Sequence, residues 1–193
     1  MAFLGRIAPE KRPDRAIEVA KRASLPLKIA AKVDAADLSY FKTKIEPLLD
    51  HPLVEFIGEI GETQKAAFLG NARALLFPIH WPEPFGLVMI EAMSAGTPVI
   101  AWANGSVREV ITEGVSGRIV TSIEAAVEAA HQAAQMDRRK VRADFERHFT
   151  AERMVRAYLT AYRLLLNGVA ATRELMIELP LAPPTMPEVS PMA

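Results

Sequence analysis

Short apolar runs alternate with amphipathic stretches along the first 120 residues of the chain. Apolar runs of strand length lie at residues 2–5, 27–33, 54–58, 73–77 and 99–101. Between them, apolar residues recur at helical spacing over residues 13–23, 36–49 and 62–72. Strands that alternate with helices in this way are typical of a parallel sheet covered by helices on both faces. The pattern therefore predicts an α/β, Rossmann-like domain of three layers with a mostly parallel sheet.

The second part of the chain has a different pattern. One more short strand is predicted at residues 117–120, and helices are predicted at residues 122–135, 137–148 and 150–167. The last residues, 168–193, are rich in proline, and we expect a disordered or loosely packed tail there. We thus predict one domain over residues 1–167 and a tail over 168–193.

Composition narrows the functional classes. Lys plus Arg and Asp plus Glu both total 23, and this zero net charge argues against a broad nucleic-acid surface. The absence of cysteine excludes disulfides and thiolate metal sites. The four histidines have no paired spacing, so we expect no metal site. No apolar run has transmembrane or signal-peptide character, and we expect a cytoplasmic protein.

The most informative stretch runs from Phe77 to Ala101 and predicts a strand end, a stiff loop, a helix and a second strand. Three prolines, at positions 78, 82 and 84, hold the loop extended. A helix then begins at Phe85, Gly86 and Leu87, whose amide N–H groups have no partner within the helix. Such a helix start, with its positive dipole end, suits an anion such as phosphate.

Two carboxylates, Glu83 and Glu91, flank this helix start. They would repel a phosphate that was the whole ligand. They suit a phosphate with hydroxyl-rich groups on either side, because a carboxylate accepts two hydroxyl hydrogen bonds. A nucleotide sugar has this layout, with a ribose, a diphosphate and a sugar in sequence. The stretch therefore indicates a nucleotide-sugar site.

The spacing Glu83-x7-Glu91 encloses Pro-Phe-Gly and continues as Glu-Ala-Met-Ser-Ala-Gly-Thr-Pro-Val. This run resembles the donor-site signature of the retaining group 1, or family 4, glycosyltransferases. The resemblance implies the C-terminal, donor-binding half of a GT-B architecture. It also implies a UDP-, GDP- or ADP-sugar as donor, no required metal or other cofactor, and an acceptor that is a sugar, a lipid or a small molecule. By position, Glu83 would hold the transferred sugar and Glu91 the ribose hydroxyls.

Three other segments resemble the same family. Gly5-Arg6 and the following Lys11 match a loop whose cations hold the diphosphate; Arg12, at a usual glycine position, is expected to be a solvated charge. The strand ending at Gly58 matches one whose end contacts the nucleotide base through the backbone. The run from Asn104 to Glu109 matches a segment in which Gly105 and Ser106 would offer N–H groups to the sugar or phosphate. We expect Asn104, at a family glycine, to accept a positive φ.

Taken together, the resemblances of these segments imply a role for each group of residues. Arg6 and Lys11 would neutralise the departing diphosphate, and Phe85, Gly86 and Leu87 would offer it backbone N–H groups. Asp34 and Asp37 are predicted to act only in a turn and a helix cap. No residue is required as a nucleophile.

The resemblance covers residues 2–167 and leaves the acceptor-binding half of such enzymes without a counterpart in this sequence. A core strand that starts almost at the first residue suggests a chain cut at a domain boundary. We therefore expect the chain alone to bind nucleotide weakly and to transfer little or nothing. One alternative is a stand-alone, non-catalytic module for a nucleotide or a protein, which pairs with an acceptor half or with itself through the exposed cleft face. A second is a fragment of a sugar-nucleotide epimerase or phosphorylase of the same architecture.

Overall fold

The computed structural model describes residues 1–166, so the predicted tail at residues 168–193 lies outside the described residues. The chain divides into two compact units, of which the first is Met1–Thr150 and the second begins at Ala151. The second unit contributes a single described helix, Ala151–Leu166. Where the predicted domain ends, at residue 167, stays a prediction.

Within the first unit, the strands form one six-stranded parallel sheet in the order β3-β2-β1-β4-β5-β6. The strands are β1 (Ala2–Arg6), β2 (Leu27–Lys32), β3 (Val54–Gly58), β4 (Leu75–Phe77), β5 (Val99–Trp102) and β6 (Gly117–Val120). The predicted α/β class with a parallel sheet is confirmed. In this order the direction of winding reverses between β1 and β4, and such a reversal opens a crevice at the carboxyl ends of the strands.

The helices of residues 1–166 follow the strands in chain order. They are α1 (Pro13–Ala23), α2 (Leu38–Tyr40), α3 (Glu46–Leu49), α4 (Glu62–Gly70), α5 (Leu87–Ser94), α6 (Val107–Val110), α7 (Ile123–Gln132), α8 (Arg138–His148) and α9 (Ala151–Leu166).

Two apolar cores lie on the two faces of the sheet, as the three-layer prediction requires. On one face, α1 and α7 pack together, with Ile17 and Ala126 completely buried between them and the strands. On the other face, α5 packs against α8, with Met89 and Met93 completely buried. Helix α5 therefore has a rigid base, which matters because its first turn forms part of the site.

The predicted single helix at residues 36–49 is wrong in its detail, because the segment is broken. A 3-10 turn at Ala35–Asp37 leads into α2, a π-helical turn spans Phe41–Ile45, and α3 follows. Pro47 lies at the start of α3 and has no N–H to donate, so regular α-helical bonding cannot pass through it.

Candidate functional site

An open crevice lies at the carboxyl edge of the sheet, where β1 and β4 are neighbours and α5 begins. It consists of two adjoining cavities of about 410 Å³ and 300 Å³ that share Leu4, Gly5, Leu87 and Val88 in their linings. An added Cβ on Gly5 would meet no atom within 4 Å, so the backbone of β1 is open to a ligand there. The crevice therefore offers two adjoining compartments to a ligand with distinct groups at its two ends.

The start of α5 lies at the middle of this crevice. Gly86 precedes the helix in the left-handed conformation, with φ of 76°. A Cβ there would lie 2.7 Å from Met89 Cε and 3.2 Å from Phe77 Cζ, so both the backbone angle and the space favour glycine. The amide of Met89 already bonds to the carbonyl of Gly86 at 2.9 Å. The amides before it, at Leu87 and Val88, begin the helix and suit an anion.

The proline loop before α5 is braced by the segment that follows β5. The Ser106 amide donates to the carbonyl of Glu83 at 3.0 Å, and the Ser106 hydroxyl donates to the carbonyl of Phe85 at 2.8 Å. The Asn104 side-chain amide donates to the carbonyl of Ile79 at 2.8 Å. Gly105 lies so close that an added Cβ would be 2.3 Å from the Glu83 oxygen. This segment fixes the loop and hence the position of Glu83.

Two expectations about this segment are wrong. The Ser106 amide is bonded to protein backbone and is not free for a ligand. The positive φ, 55°, belongs to Gly105 and not to Asn104, because only glycine can approach the Glu83 backbone this closely. A direct contact between Gly105 and a ligand stays a prediction.

Lys11 and Glu83 meet at one end of the crevice, as their predicted shared site requires. Lys11 Nζ is 2.5 Å from Glu83 Oε2, and the indole Nε1 of Trp81 donates to the same oxygen at 2.7 Å. The Lys11 ammonium also lies 5.7 Å from the centroid of the Trp81 ring. The Glu83 side chain is only 13% exposed. One carboxylate oxygen is thus held firmly while the other is left for further contacts. Trp81 was not among the predicted site residues, and its place two residues before Glu83 was the available signal.

Arg6 lies at the same edge of the sheet but does not line either cavity in the described structure. Its guanidinium is 2.6 Å from Glu10, 3.7 Å from Asp34 and 3.6 Å from Asp37. The two aspartates were predicted to act in a turn and a helix cap. They occupy the N-cap positions of the 3-10 turn Ala35–Asp37 and of α2, but neither side chain makes a capping hydrogen bond. Their pairing with Arg6 draws that cation toward β2. The expectation that both cations face the start of α5 is therefore met in this conformation by Lys11 alone.

Arg12 differs from the expectation of a free, solvated charge. Its side chain makes two parallel hydrogen bonds to Asp14, with Nη2 at 2.7 Å and Nε at 2.9 Å. Its backbone is left-handed, with φ of 50°, which accounts for glycine at the matching position of the family segment.

Glu91 and Lys65 line the second cavity together. Lys65 Nζ, on α4, is 3.2 Å from Glu91 Oε1 and 2.8 Å from Glu62 Oε2. The hydrogen bond to Glu62 has the largest effect and raises the pKa of Lys65. Burial opposes this rise, and the contact with Glu91 adds to it, so the net shift is upward and the ammonium stays charged at neutral pH. Lys65 was not among the predicted site residues. Nothing in the spacing of Lys65 and Glu91, which lie on different helices, pointed to the contact.

Gly58 ends β3 with φ of 75°, and an added Cβ would meet no atom within 4 Å. The next two residues, Glu59 and Ile60, line the second cavity beside Glu91. The predicted base-contacting strand end therefore leads into the end of the crevice that also holds Glu91. A contact between the base and Gly58 itself stays a prediction.

Among residues 1–166, no group of three or more His, Asp or Glu side chains has an arrangement that could hold a metal ion. No helix in the same part of the chain is long and apolar enough to cross a membrane.

Comparison with known families shows which class of protein contains this crevice. The sequence profile of the family described as "Glycosyl transferases group 1" matches residues 1–148 of this chain. The chain belongs to the group 1 glycosyltransferases. The matched residues include every strand of the sheet and every residue of the crevice named above.

Relatives and solved structures agree with this membership. The chain is 34% identical to the glycogen synthase of Mycobacterium tuberculosis over 120 residues, which cover 56% of the chain and 29% of the synthase. It is 30% identical to the D-inositol 3-phosphate glycosyltransferase of Geodermatophilus obscurus over 191 residues, which cover 90% of the chain and 42% of that enzyme. The chain thus spans less than half the length of these relatives.

Two solved structures show the same fold. The structure of AviGT4, a glycosyltransferase involved in avilamycin A biosynthesis, matches with a TM-score of 0.71 and 25% identity, over 86% of this chain and 51% of that one. The HepE protein of Anabaena, solved in complex with UDP and glucose, matches with a TM-score of 0.66 and 21% identity, over 83% of this chain and 48% of that one. The structural neighbours are GT-B glycosyltransferases, and this Rossmann-like domain corresponds to about half of each.

Proposed function

We propose that this chain is the donor-binding half of a retaining, metal-independent glycosyltransferase and that its crevice binds a nucleotide-diphosphate sugar. The observation that carries the proposal is the order of groups along the crevice. Lys11 and Glu83 lie at one end, the start of α5 lies in the middle, and Glu91 and Lys65 lie at the other end. This order matches the order sugar, diphosphate and ribose in the ligand.

The diphosphate is placed at the start of α5. There the amides of Gly86, Leu87 and Val88 and the ammonium of Lys11 supply positive charge around an open backbone at Gly5. Negative charge grows on the diphosphate as the bond to the sugar breaks, and donors fixed before the reaction stabilise that charge. This positive charge is what a metal ion supplies in other transferases. Retention and independence from metal are taken from the resemblance to the retaining family.

The sugar and the ribose are placed at the two carboxylates. Glu83 has one oxygen held by Lys11 and Trp81, which orients its second oxygen for a sugar hydroxyl. Glu91 accepts the ribose hydroxyls in the second cavity, where Ile60 and the end of β3 border the place of the base. The family relationship, and the UDP bound by Anabaena HepE, support a uridine nucleotide as the first donor to try. The acceptor, whether a sugar, a lipid or a small molecule, is not specified by these residues.

Arg6 can contact the diphosphate only if its guanidinium leaves its present acidic partners. Its three acidic partners, Glu10, Asp34 and Asp37, are partly exposed, and ion pairs of this kind each contribute little. A diphosphate with two or more negative charges is a stronger partner for a guanidinium. We therefore place Arg6 on the diphosphate when the donor is bound.

Calorimetric titration of the chain with UDP, GDP, ADP and their hexose conjugates tests the proposal. We expect at least one nucleotide diphosphate to bind. Replacing Lys11 by Met should weaken that binding about tenfold, because a charge-assisted bond to phosphate is lost, while the free nucleoside is affected less. The matched control is Lys28→Met, which removes the same charge near the start of β2, at the opposite edge of the sheet, where Lys28 pairs with Glu55 at 2.9 Å.

Two outcomes would contradict the proposal. The first is that no nucleotide or nucleotide sugar binds the wild-type chain, which would favour a protein-binding module. The second is that Lys11→Met and Lys28→Met weaken diphosphate binding equally, which would mean that long-range charge and not the crevice is responsible.

A further inference from the structure

Lys65 makes a contact that the predicted site residues do not include. It projects from α4 and reaches Glu91 on α5, with 3.2 Å between Nζ and Oε1. The Lys65 and Glu91 side chains are 29% and 32% exposed, so the pair is only partly shielded from water. The other partner of Lys65, Glu62, is 82% exposed, and an ion pair that open contributes little. The contact with Glu91 is therefore the one with consequences for the crevice.

The geometry of the contact affects what Glu91 can do. A glutamate side chain on a helix has three freely rotating bonds, and holding it in one conformation for a ligand costs entropy. An ammonium bonded to Oε1 meets part of that cost before any ligand arrives. It keeps the carboxylate ionised and leaves Oε2 and one lone pair of Oε1 to accept two hydroxyl groups. A vicinal diol presents two hydroxyls at this separation.

We propose that Lys65 is a positioning residue that fixes the Glu91 carboxylate for the 2′,3′-diol of a ribonucleoside diphosphate, and so sets the preference of this chain for ribonucleotides over 2′-deoxyribonucleotides. The proposal rests on the proposed function, because it needs a nucleotide in the second cavity. It adds a residue on α4 to those that determine which nucleotide the site binds. The same cavity contains Lys32, whose ammonium pairs with Asp34 at 2.8 Å instead of with Glu91.

The test compares UDP with 2′-deoxyuridine diphosphate, and likewise the guanosine and adenosine pairs, by calorimetry on the full chain. We expect the wild-type chain to prefer the ribonucleotide about tenfold, because a hydroxyl bonded to a carboxylate is lost in the deoxy form. Lys65→Met should lower this preference to about twofold, since Glu91 is then mobile. Lys65→Arg, which keeps a cation of similar reach, should restore most of it.

Lys32→Met is the matched control, because it removes the same charge from the lining of the same cavity without touching Glu91. It should weaken the ribo and deoxy forms by equal factors and leave the preference intact. A Lys65→Met chain that keeps the full preference overturns the inference and leaves the proposed function standing. A wild-type chain that binds none of the nucleotides overturns both. Should Lys65→Met fail to fold by circular dichroism, Lys65→Leu, which likewise has no hydrogen-bond donor, supplies the same comparison.

Discussion

Substitution of Gly105 by Ala tests the brace between the segment after β5 and the proline loop. An alanine Cβ at this position would lie 2.3 Å from the carbonyl oxygen of Glu83, 2.4 Å from its nitrogen and 2.7 Å from the carbonyl carbon of Pro82. These are backbone atoms, so no side chain can rotate away. The loop would have to retreat by about 0.7 Å merely to reach the 3.0 Å below which real contacts are essentially never seen.

The cost has two parts. The φ of 55° at Gly105 costs a residue with a Cβ about 1–2 kcal/mol. Forced displacement of packed atoms adds about 1–3 kcal/mol. We therefore expect Gly105→Ala to lower the free energy of unfolding by about 2–5 kcal/mol. A retreat of the loop would also move Glu83 away from Lys11, so nucleotide-sugar binding should weaken in any variant that still folds.

Gly114→Ala is the matched control, because Gly114 has φ of 76° but its added Cβ would meet only Arg118 Nη1, at an ordinary 3.8 Å. It should lose only the conformational part, about 1–2 kcal/mol. Urea unfolding followed by circular dichroism gives both free energies of unfolding. The slope of this free energy against urea concentration should be the same for both variants and the wild-type chain. Equal losses for the two variants would refute the brace.

Other predictions concern the helix ends and the Asp14 cluster. Ser24 ends α1 at φ of 52°, and Ser24→Gly should raise the free energy of unfolding by about 1 kcal/mol; Arg12→Gly should gain less, because it loses the bonds to Asp14. Burial raises the pKa of Asp14, but bonding to Arg12 outweighs it and lowers that pKa. The Arg12–Asp14 pair should therefore stabilise the fold above pH of about 4 and lose this effect as the pH falls further. Acid should lower the free energy of unfolding more for the wild-type chain than for Asp14→Asn. Parallel curves of this free energy against pH would contradict the prediction. Burial and the charge of Asp14 raise the pKa of Tyr40 to about 12. The ultraviolet absorbance titration of the tyrosines should contain a component near pH of about 12 that Tyr40→Phe removes. The stability that un-ionised, buried Tyr40 contributes should be fully present below pH of about 10 and should be lost as the pH rises to about 12.

Local sequence signals predicted helices and strands well where a single segment contains the residues that start and end the element. Helix α1 was predicted at its observed bounds, because Pro13 suits a first turn and the apolar stripe continues to Ala23. Strand β3 and the loop that leads into α5 also follow the pattern of the sequence. Edge placement followed from the parallel sheet, since loops after its strands share one edge. The family resemblance brought Lys11 and Glu83, 72 residues apart, into the same predicted site, and the shared edge of the sheet agrees with it.

Contacts between side chains of separate loops and helices could not be predicted in this way. The edge rule placed Arg6 correctly at the carboxyl ends of the strands, but it does not say which neighbour a flexible guanidinium chooses. Asp34 and Asp37, which follow the adjacent strand, compete for it. The pairing of Lys65 with Glu91 depends on how α4 packs beside α5, which no local pattern encodes. Whether a turn accepts Asn or needs Gly depends likewise on what packs against it, as Gly105 shows.

Amide chemical shifts in the nitrogen-15-labelled chain test the central claim, that a diphosphate sits at the start of α5, most directly. On titration with UDP, GDP or ADP, the largest shifts should fall on the amides of Gly86, Leu87 and Val88 and on Gly5, which line the crevice. The amide of Gly114, which donates to the carbonyl of Gly117 at 2.9 Å in a turn beyond β5, should stay unchanged. Shifts confined to residues outside the crevice, with the start of α5 unaffected by all three nucleotides, would contradict the account.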